Sequence, residues 1–470
     1  MLAPLRPAHP MIAFGVLATT QFVLIAAITV LSVALPAIQR DLHLATGQLA
    51  LVSASYGLSF SGLLVLGGRL GDQFGHRRLL IAGLSVFCLA SAAVGLATGL
   101  WILLAARFTQ GIGAALAAPA AMALLGAIFP EPGQRERIVA VWGTVASLGA
   151  TAGTLLSGAV ISVTSWRWLF VLLIMPAALA LTAVFWTVPQ GDEPRPRRLD
   201  LAGAALVTAG LTALSYGLIR SSDNAWISGP VLLPMAAGGV ALGAFLVVEQ
   251  RSRAALIPLA FLAEGRRAVA LASVLLGSAA MSTIFFFLAL QFQQVRGYSP
   301  LATSMAFLPF AAVLLATGVT SGRVVAGLGA GTTTALGLAL AGAGLLFLGR
   351  LTVGGGLTGP LLLGLLIFPA GAALTFAGAT VTAVTAVSAD SAGLAAGVVN
   401  TALEIGPTVG LAVLVSVAGK RTALALNSGI DGRHAATTGY AFAFAATGLA
   451  ALTLAVIALA VLGRRRSETT

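Results

Sequence analysis

"GRLGDQFGHRR" (residues 68–78) places one acid, one histidine and three arginines within eleven residues of a chain that is only 9% charged. Apolar runs flank it, at about 47–66 and 79–98. Each has the roughly 20 residues a helix needs to cross about 30 Å of hydrocarbon. A polar junction between two runs of that length decides the fold class, because the pattern recurs along all 470 residues, 58% of which are hydrophobic. The mean hydropathy of +1.01 exceeds what a water-soluble core can hide. Alternation at strand period is absent, so the expectation is an all-α integral membrane protein and not a barrel.

Reading outward, the apolar runs predict fourteen transmembrane helices, at about 11–37, 47–66, 79–98, 101–129, 138–162, 167–188, 201–219, 229–248, 268–292, 300–320, 329–349, 357–386, 391–418 and 437–463. The first is too long for the apolar core of a cleaved signal and is expected to remain a helix. Basic residues orient the set. With both termini cytoplasmic, the inner segments hold 17 of them, Arg6, Arg69, Arg77 and Arg78 included, and the outer loops hold 8. That bias follows the positive-inside rule. The net charge of +12 therefore reads as topogenic, and no nucleic-acid partner is expected. Arginine outnumbers lysine 25 to 1, a composition that fits a GC-rich bacterial genome and a bacterial cytoplasmic (inner) membrane. The single cysteine, Cys88, excludes an intrachain disulfide.

Two polar segments, "PQGDEPRPRRLD" (189–200) and "EQRSRAALIPLAFLAEGRR" (249–267), have linker composition and bracket one helix pair. Six helices remain on either side. The expected domains are residues 1–190, an inserted pair with its linkers at 191–266, and residues 267–470. An internal repeat supports the division: "GRLGDQFGHR" aligns with "GRVVAGLGAG" (322–331), matching Gly68, Arg69 and Gly75 to Gly322, Arg323 and Gly329. Asp72 and Arg77 fall opposite Ala326 and Gly331. Each copy follows the second helix of a six-helix unit, as expected for parallel halves of a transporter.

The spacing of Gly68, Asp72, Gly75 and the basic residues after them resembles the signature between helices 2 and 3 of the major facilitator superfamily. The resemblance implies a cytoplasmic latch formed by Gly68, Arg69, Asp72, Gly75 and Arg77 that stabilises the outward-open state. "ARFTQGIGAA" (106–115) resembles the helix 4 motif of proton-coupled exporters. Arg107 there lies inside an apolar helix, which makes it a functional candidate; the alternative is a side chain that snorkels to the interface. "SWRWLF" (165–170), "DLAG" (200–203), Glu249 with "IPL" (257–259), and "GYSPL" (297–301) resemble the fourteen-helix drug:proton antiporter branch in the same order. The resemblance covers essentially the whole chain and implies export of drugs or antibiotics by proton antiport through alternating access.

Two departures bear on mechanism. In helix 1 that branch usually carries an acid two residues before a threonine, whereas here Ala27 precedes Thr29 in "AITVLSVALP" (27–36). In helix 5, Thr154 stands where a proline is expected in "GATAGTLLSG" (149–158), which removes the cause of a bend. Of the fourteen acids, Glu404 alone falls at mid-span. A lone carboxylate in low dielectric alternates between neutral and charged forms as it meets each side, the property of a proton carrier. Glu404, Arg107 and Asp72 are therefore the proton-coupling candidates; the alternative for Glu404 is a carboxyl held permanently protonated in a structural hydrogen bond. Asn400, Glu404 and Thr408 are spaced by four and should share a helical face.

Substrate-binding candidates are Gln21, Thr29, Tyr56, Thr151, Phe287, Gln291, Gln294 and Asn400. In helix 9, Phe287 and Gln291 are one turn apart, as are Gln291 and Gln294; in helix 5, Thr144, Ser147, Thr151, Thr154 and Gly158 form a hydroxyl stripe that serves packing equally well. Aromatic and amide groups with few charges suit a hydrophobic or amphipathic small molecule. An enzyme is not expected: the four histidines lie in loops or tails, and neither a metal site nor a nucleotide-binding glycine-lysine loop is present. No cofactor is expected, the proton gradient being the energy source, and lipid is the only other partner of an expected monomer. Export of a lipid or lipid-linked metabolite, or an uncoupled or non-transporting relative, remains the alternative.

Overall fold

The computed structural model describes residues 9–189, 200–221, 224, 226–251, 264–354, 357, 359–384 and 392–463. Arg6, the linker charges at 192–198, the 190/191 boundary and "IPL" (257–259) lie outside them, as do the side chains of Thr144 and Ser147. Every regular element among the described residues is helical: α1 (Pro10–Leu42), α2 (Thr46–Phe74), α3 (His76–Gly95), α4 (Leu100–Ile128), α5 (Pro132–Val163), α6 (Arg167–Thr187), α7 (Leu201–Arg220) and α8 (Gly229–Arg251). There follow α9 (Gly265–Leu290), α10 (Pro300–Ala306), α11 (Leu308–Leu328), α12 (Ala330–Leu348), α13 (Pro360–Val384), α14 (Ala392–Ile405), α15 (Leu411–Asn427) and α16 (Gly432–Leu462). Two π turns, Gln291–Val295 and Gly406–Gly410, extend α9 and join α14 to α15.

Among these residues, 13 helical stretches are long and apolar enough to cross a membrane, and α5, with its apolar part at Leu148–Val163, completes the fourteen. This is the expected plan, and the chain is a multi-pass membrane protein. Several helices, α1, α2 and α5 among them, outrun the apolar runs that announce them, since a backbone that leaves hydrocarbon still gains from continuing its own hydrogen bonds. In particular, residues 68–74 are the last two turns of α2 and residues 76–78 begin α3, so the expected polar loop is reduced to Gly75.

The chain forms two compact units. The first comprises Met1–Thr212, Val240–Leu256 and Ser299–Ser304; the second comprises Ala213–Gly239, Ile257–Tyr298 and Met305–Thr470. The inserted pair is thus divided between them, within α7 and within α8.

In the first unit, α3 and α4 meet backbone to backbone at Gly83 and Gly113. A Cβ on Gly113 would sit 2.6 Å from the Phe87 nitrogen, and one on Gly83 would sit 2.7 Å from the Gly113 oxygen. At the opposite end of the helices, Asp41 in the last turn of α1 pairs with Arg167 at the start of α6. The same carboxylate accepts from Trp166 Nε1 at 3.1 Å, while Arg167 Nη2 donates to the Ala97 carbonyl at 2.9 Å between α3 and α4. One charged knot therefore ties three helical connections. α5 runs without a break through Thr154, where the proline is missing; the Thr154 hydroxyl donates to Ala150 O at 3.0 Å, and its carbonyl accepts from Ser304 of α10 at 2.8 Å.

The internal repeat is visible in the backbone. Gly75 between α2 and α3 has φ 94°, and Gly329 between α11 and α12 has φ 81°. Only glycine adopts that region at little cost. Each glycine donates to the carbonyl four residues back, Gly71 or Val325, both at 2.9 Å, and accepts from the amide four residues on, Leu79 at 3.1 Å or Thr333 at 3.0 Å. Arg77 and Gly331, paired in the alignment, face the C-terminal carbonyls of corresponding helices. Arg77 Nη2 donates to Phe185 O of α6 at 2.8 Å. Gly331 lies so close to α16 that a Cβ would sit 2.2 Å from Leu462 O. There the cation comes from α9 instead: Arg266 donates to Val461 O at 3.2 Å and Leu462 O at 3.1 Å. A cation at a helix C-terminus is favourable in either arrangement.

Gly113→Val should destabilise the protein by about 1–3 kcal/mol, the usual cost of overpacking, lowering its melting temperature in detergent. Gly15→Ala, inside α1 where nothing lies within 4 Å, should instead stabilise the protein by about 0.5–1 kcal/mol.

Candidate functional site

Close approach of α4 to its neighbours positions the charged centre of the first unit. A Cβ on Gly111 would lie 2.2 Å from Tyr56 O of α2, and Gly113 closes on α3 as described. Arg107, one turn before Gly111 and about two turns inside α4, is thereby carried into the middle of the bundle, where it is 1% exposed. It does not snorkel. Its Nη1 donates to Gln110 Oε1 at 2.7 Å and to the carbonyl of Ala27 at 3.2 Å. Gln110 Nε2 passes the connection to Ser91 Oγ of α3 at 2.7 Å, and Ser91 donates to Phe87 O at 2.7 Å. The Tyr56 ring lies 4.8 Å and the Phe170 ring of α6 lies 5.9 Å from the guanidinium carbon. The Tyr56 hydroxyl donates to Leu24 O of α1 at 3.2 Å.

Ala27, the position at which the resemblance leads one to expect a carboxylate, is therefore the one whose carbonyl receives the guanidinium. Among the expected site residues, the structure brings Arg107 and Tyr56 together. Sequence reasoning does not single out Ser91 or Phe170; Ser91 is one of two serines in an apolar helix, and nothing in the sequence separates it from Ser85. Thr29 donates to Ala26 O at 3.3 Å and faces Gly153, whose Cβ would sit 2.3 Å from its hydroxyl, so it serves the contact between α1 and α5. Gln21 and Thr151 are half-buried. Asp72 Oδ1 lies 3.3 Å from His76 Nε2, across the Gly75 junction. Arg77 is spent on the end of α6.

In the second unit, Phe287 and Gln291 lie in the seam between α9 and α16. Phe287 stacks on Tyr440 with ring centroids 4.8 Å apart and meets Phe444 edge-on at 6.0 Å. Gln291 accepts from Thr437 at 3.1 Å and donates to Thr352 O at 3.1 Å; both Phe287 and Gln291 are buried. Gln294 is exposed. The expected common face of Gln291 and Gln294 is absent because both sit in the π turn, whose wider winding breaks the register of an α-helix.

Glu404 is half-buried in the last turn of α14, immediately before the second π turn. The turn rests on α9: a Cβ on Gly406 would lie 2.4 Å from Leu275 O, and Ser282 donates to Pro407 O at 3.4 Å. The expected face of Asn400, Glu404 and Thr408 is also broken. Asn400 is exposed, whereas Thr408 is buried and its hydroxyl donates to Ile405 O at 2.8 Å. The change of winding at Gly406 turns Thr408 away from the other two. Among the described residues, no group of three or more His, Cys, Asp or Glu could hold a metal ion.

The profile described as Major Facilitator Superfamily matches residues 17–411. A cephamycin export protein of Amycolatopsis lactamdurans is 37% identical over 94% of this chain and 90% of its own length. A lincomycin resistance protein of Streptomyces lincolnensis is 36% identical over the same shares, 94% and 90%. A tetracenomycin C resistance and export protein of Streptomyces glaucescens is 30% identical over 82% of this chain and 72% of its own. Among solved structures, a peptide transporter POT in complex with sulfate aligns with a TM-score of 0.70 at 18% identity, covering 98% of this chain and 96% of that one; it shares the fold. With the profile matched over residues 17–411, two relatives matched over 90% of their own length, and the glycine junction repeated at Gly75 and Gly329, the chain belongs to the Major Facilitator Superfamily.

Proposed function

We propose that this chain exports hydrophobic or amphipathic small molecules of the antibiotic and drug type by proton antiport through alternating access. It does so as a monomer in the bacterial cytoplasmic (inner) membrane with both termini in the cytoplasm, and it is not an enzyme. The observation that carries the reading is the 37% identity, over 94% of the chain, to a cephamycin export protein. The interior charges support proton coupling. Ionisable groups inside hydrocarbon are costly and mark transport pathways and proton relays, and here Arg107 and Glu404 are such groups, one in each unit. Glu404 binds and releases the proton. Its place beside a π turn supports that role, since such turns concentrate at functional sites. Arg107 and Asp72 adjust the coupling, and Gly68, Arg69, Asp72, Gly75 and Arg77 form the cytoplasmic latch. The gradient is the energy source, with no cofactor or metal, and the lipid bilayer is the remaining partner.

Expression in a susceptible host should raise resistance to some members of a diverse antibiotic and dye panel; an unchanged profile across the panel, with the protein present in the membrane, contradicts the reading. In everted vesicles with an acid interior, added substrate should draw protons out of the lumen and dissipate the imposed gradient. Glu404→Gln should reduce gradient-driven uptake by at least about tenfold, and retention of full coupled uptake by that variant removes Glu404 from the mechanism.

A further inference from the structure

We propose that Arg107 sets the charge class of the cargo: neutral and anionic hydrophobic molecules are favoured, and cationic molecules of the same skeleton are disfavoured. The inference rests on the export reading and deepens it. Its ground is the electrically neutral shell around a buried cation. The guanidinium meets a carbonyl, an amide oxygen and two aromatic rings, and its Nε has no hydrogen-bond partner. Among the described residues no carboxylate pairs with it. The acids of the first unit whose side chains are described, Asp41, Asp72, Glu131, Asp200 and Glu249, all stand at or next to helix ends.

A guanidinium does not lose its proton in a protein, so this charge is permanent. Dipoles and ring faces solvate it without cancelling it. In a medium of effective dielectric near 20, a unit charge about 10 Å away changes the affinity of a monovalent ion by about tenfold or more. The sign favours anions. No contact with the cargo is needed, which suits a side chain enclosed as completely as this one. Ala27 is the point at which the charge would be cancelled: its carbonyl is 3.2 Å from Nη1, and its methyl side chain brings no charge of its own.

The test uses purified protein in liposomes, with the membrane potential and pH gradient clamped to zero, and follows exchange of external probe for unlabelled neutral compound inside. Three dansyl amides of equal chain length serve as probes, ending in a sulfonate, a trimethylammonium or a neutral amide. The permanent charges prevent trapping by pH. The wild type should exchange the sulfonate at least about tenfold faster than the trimethylammonium, with the neutral probe between. Arg107→Gln and Ala27→Asp should each bring that ratio within about threefold, and Arg107→Lys should preserve it. Equal exchange of the two charged probes by the wild type, or a ratio that survives Arg107→Gln, overturns the inference. The wild-type ratio decides even where a variant fails to fold. Because the assay runs without proton coupling, failure of the Glu404 assignment leaves this readout intact. Loss of all exchange by the wild type, neutral probe included, overturns the export reading and this inference with it.

Discussion

A guanidinium inside a membrane bundle has to be surrounded before the bundle can close around it, and much of the first unit is arranged by that requirement. Five helices contribute to the surroundings of Arg107: α1 through a carbonyl, α2 and α6 through ring faces, α4 through Gln110 and α3 through Ser91. The chain of bonds has a short reach. Gln110 finds Ser91 only because α3 and α4 touch at their glycines, so the small residues along α4 are the condition for the polar network. Removing one partner of a buried charge is strongly destabilising, which links the packing of five helices to a single side chain.

The second unit is organised differently around its own polar groups. Gln291 closes a seam between helices, bonding a hydroxyl on α16 and a carbonyl before α13, and the stacked rings of Phe287 and Tyr440 fill the same seam. Glu404 instead stands where the helical winding changes. A π turn leaves backbone groups less regularly paired than an α turn and gives the helix a place to alter its axis. Polar side chains thus hold helices together in both units, and in the second the carboxylate sits at a point of backbone irregularity.

The number of spans was legible because the thickness of a bilayer imposes a length on every apolar run. The repeat was legible at Gly75 and Gly329 because a left-handed junction selects glycine, and Arg107 stood out because charge is rare in such helices. Other features leave little mark in a single chain. The bond between Gln110 and Ser91 depends on how α3 and α4 are rotated. The pairing of Asp41 with Arg167 joins residues 126 positions apart. π turns have no residue signature of their own, which is why Gln291 and Gln294 read as neighbours on one face and are not. The polar stretch at 68–78 read as a loop because charge ends an apolar run, yet charge does not end a helix; only Gly75 does.

The two helix junctions also differ in what they can become. At residue 77 the space beside the end of α6 is filled by a side chain, so the position accepts exchange of one long residue for another. At residue 331 the carbonyl of Leu462 occupies that space, and α9 supplies the cation. No single substitution at 331 can reproduce the arrangement at 77, because any side chain there meets the backbone of α16 first. The contact at 331 is therefore fixed where the one at 77 is adjustable: two helices would have to move apart before any side chain could be accepted at 331.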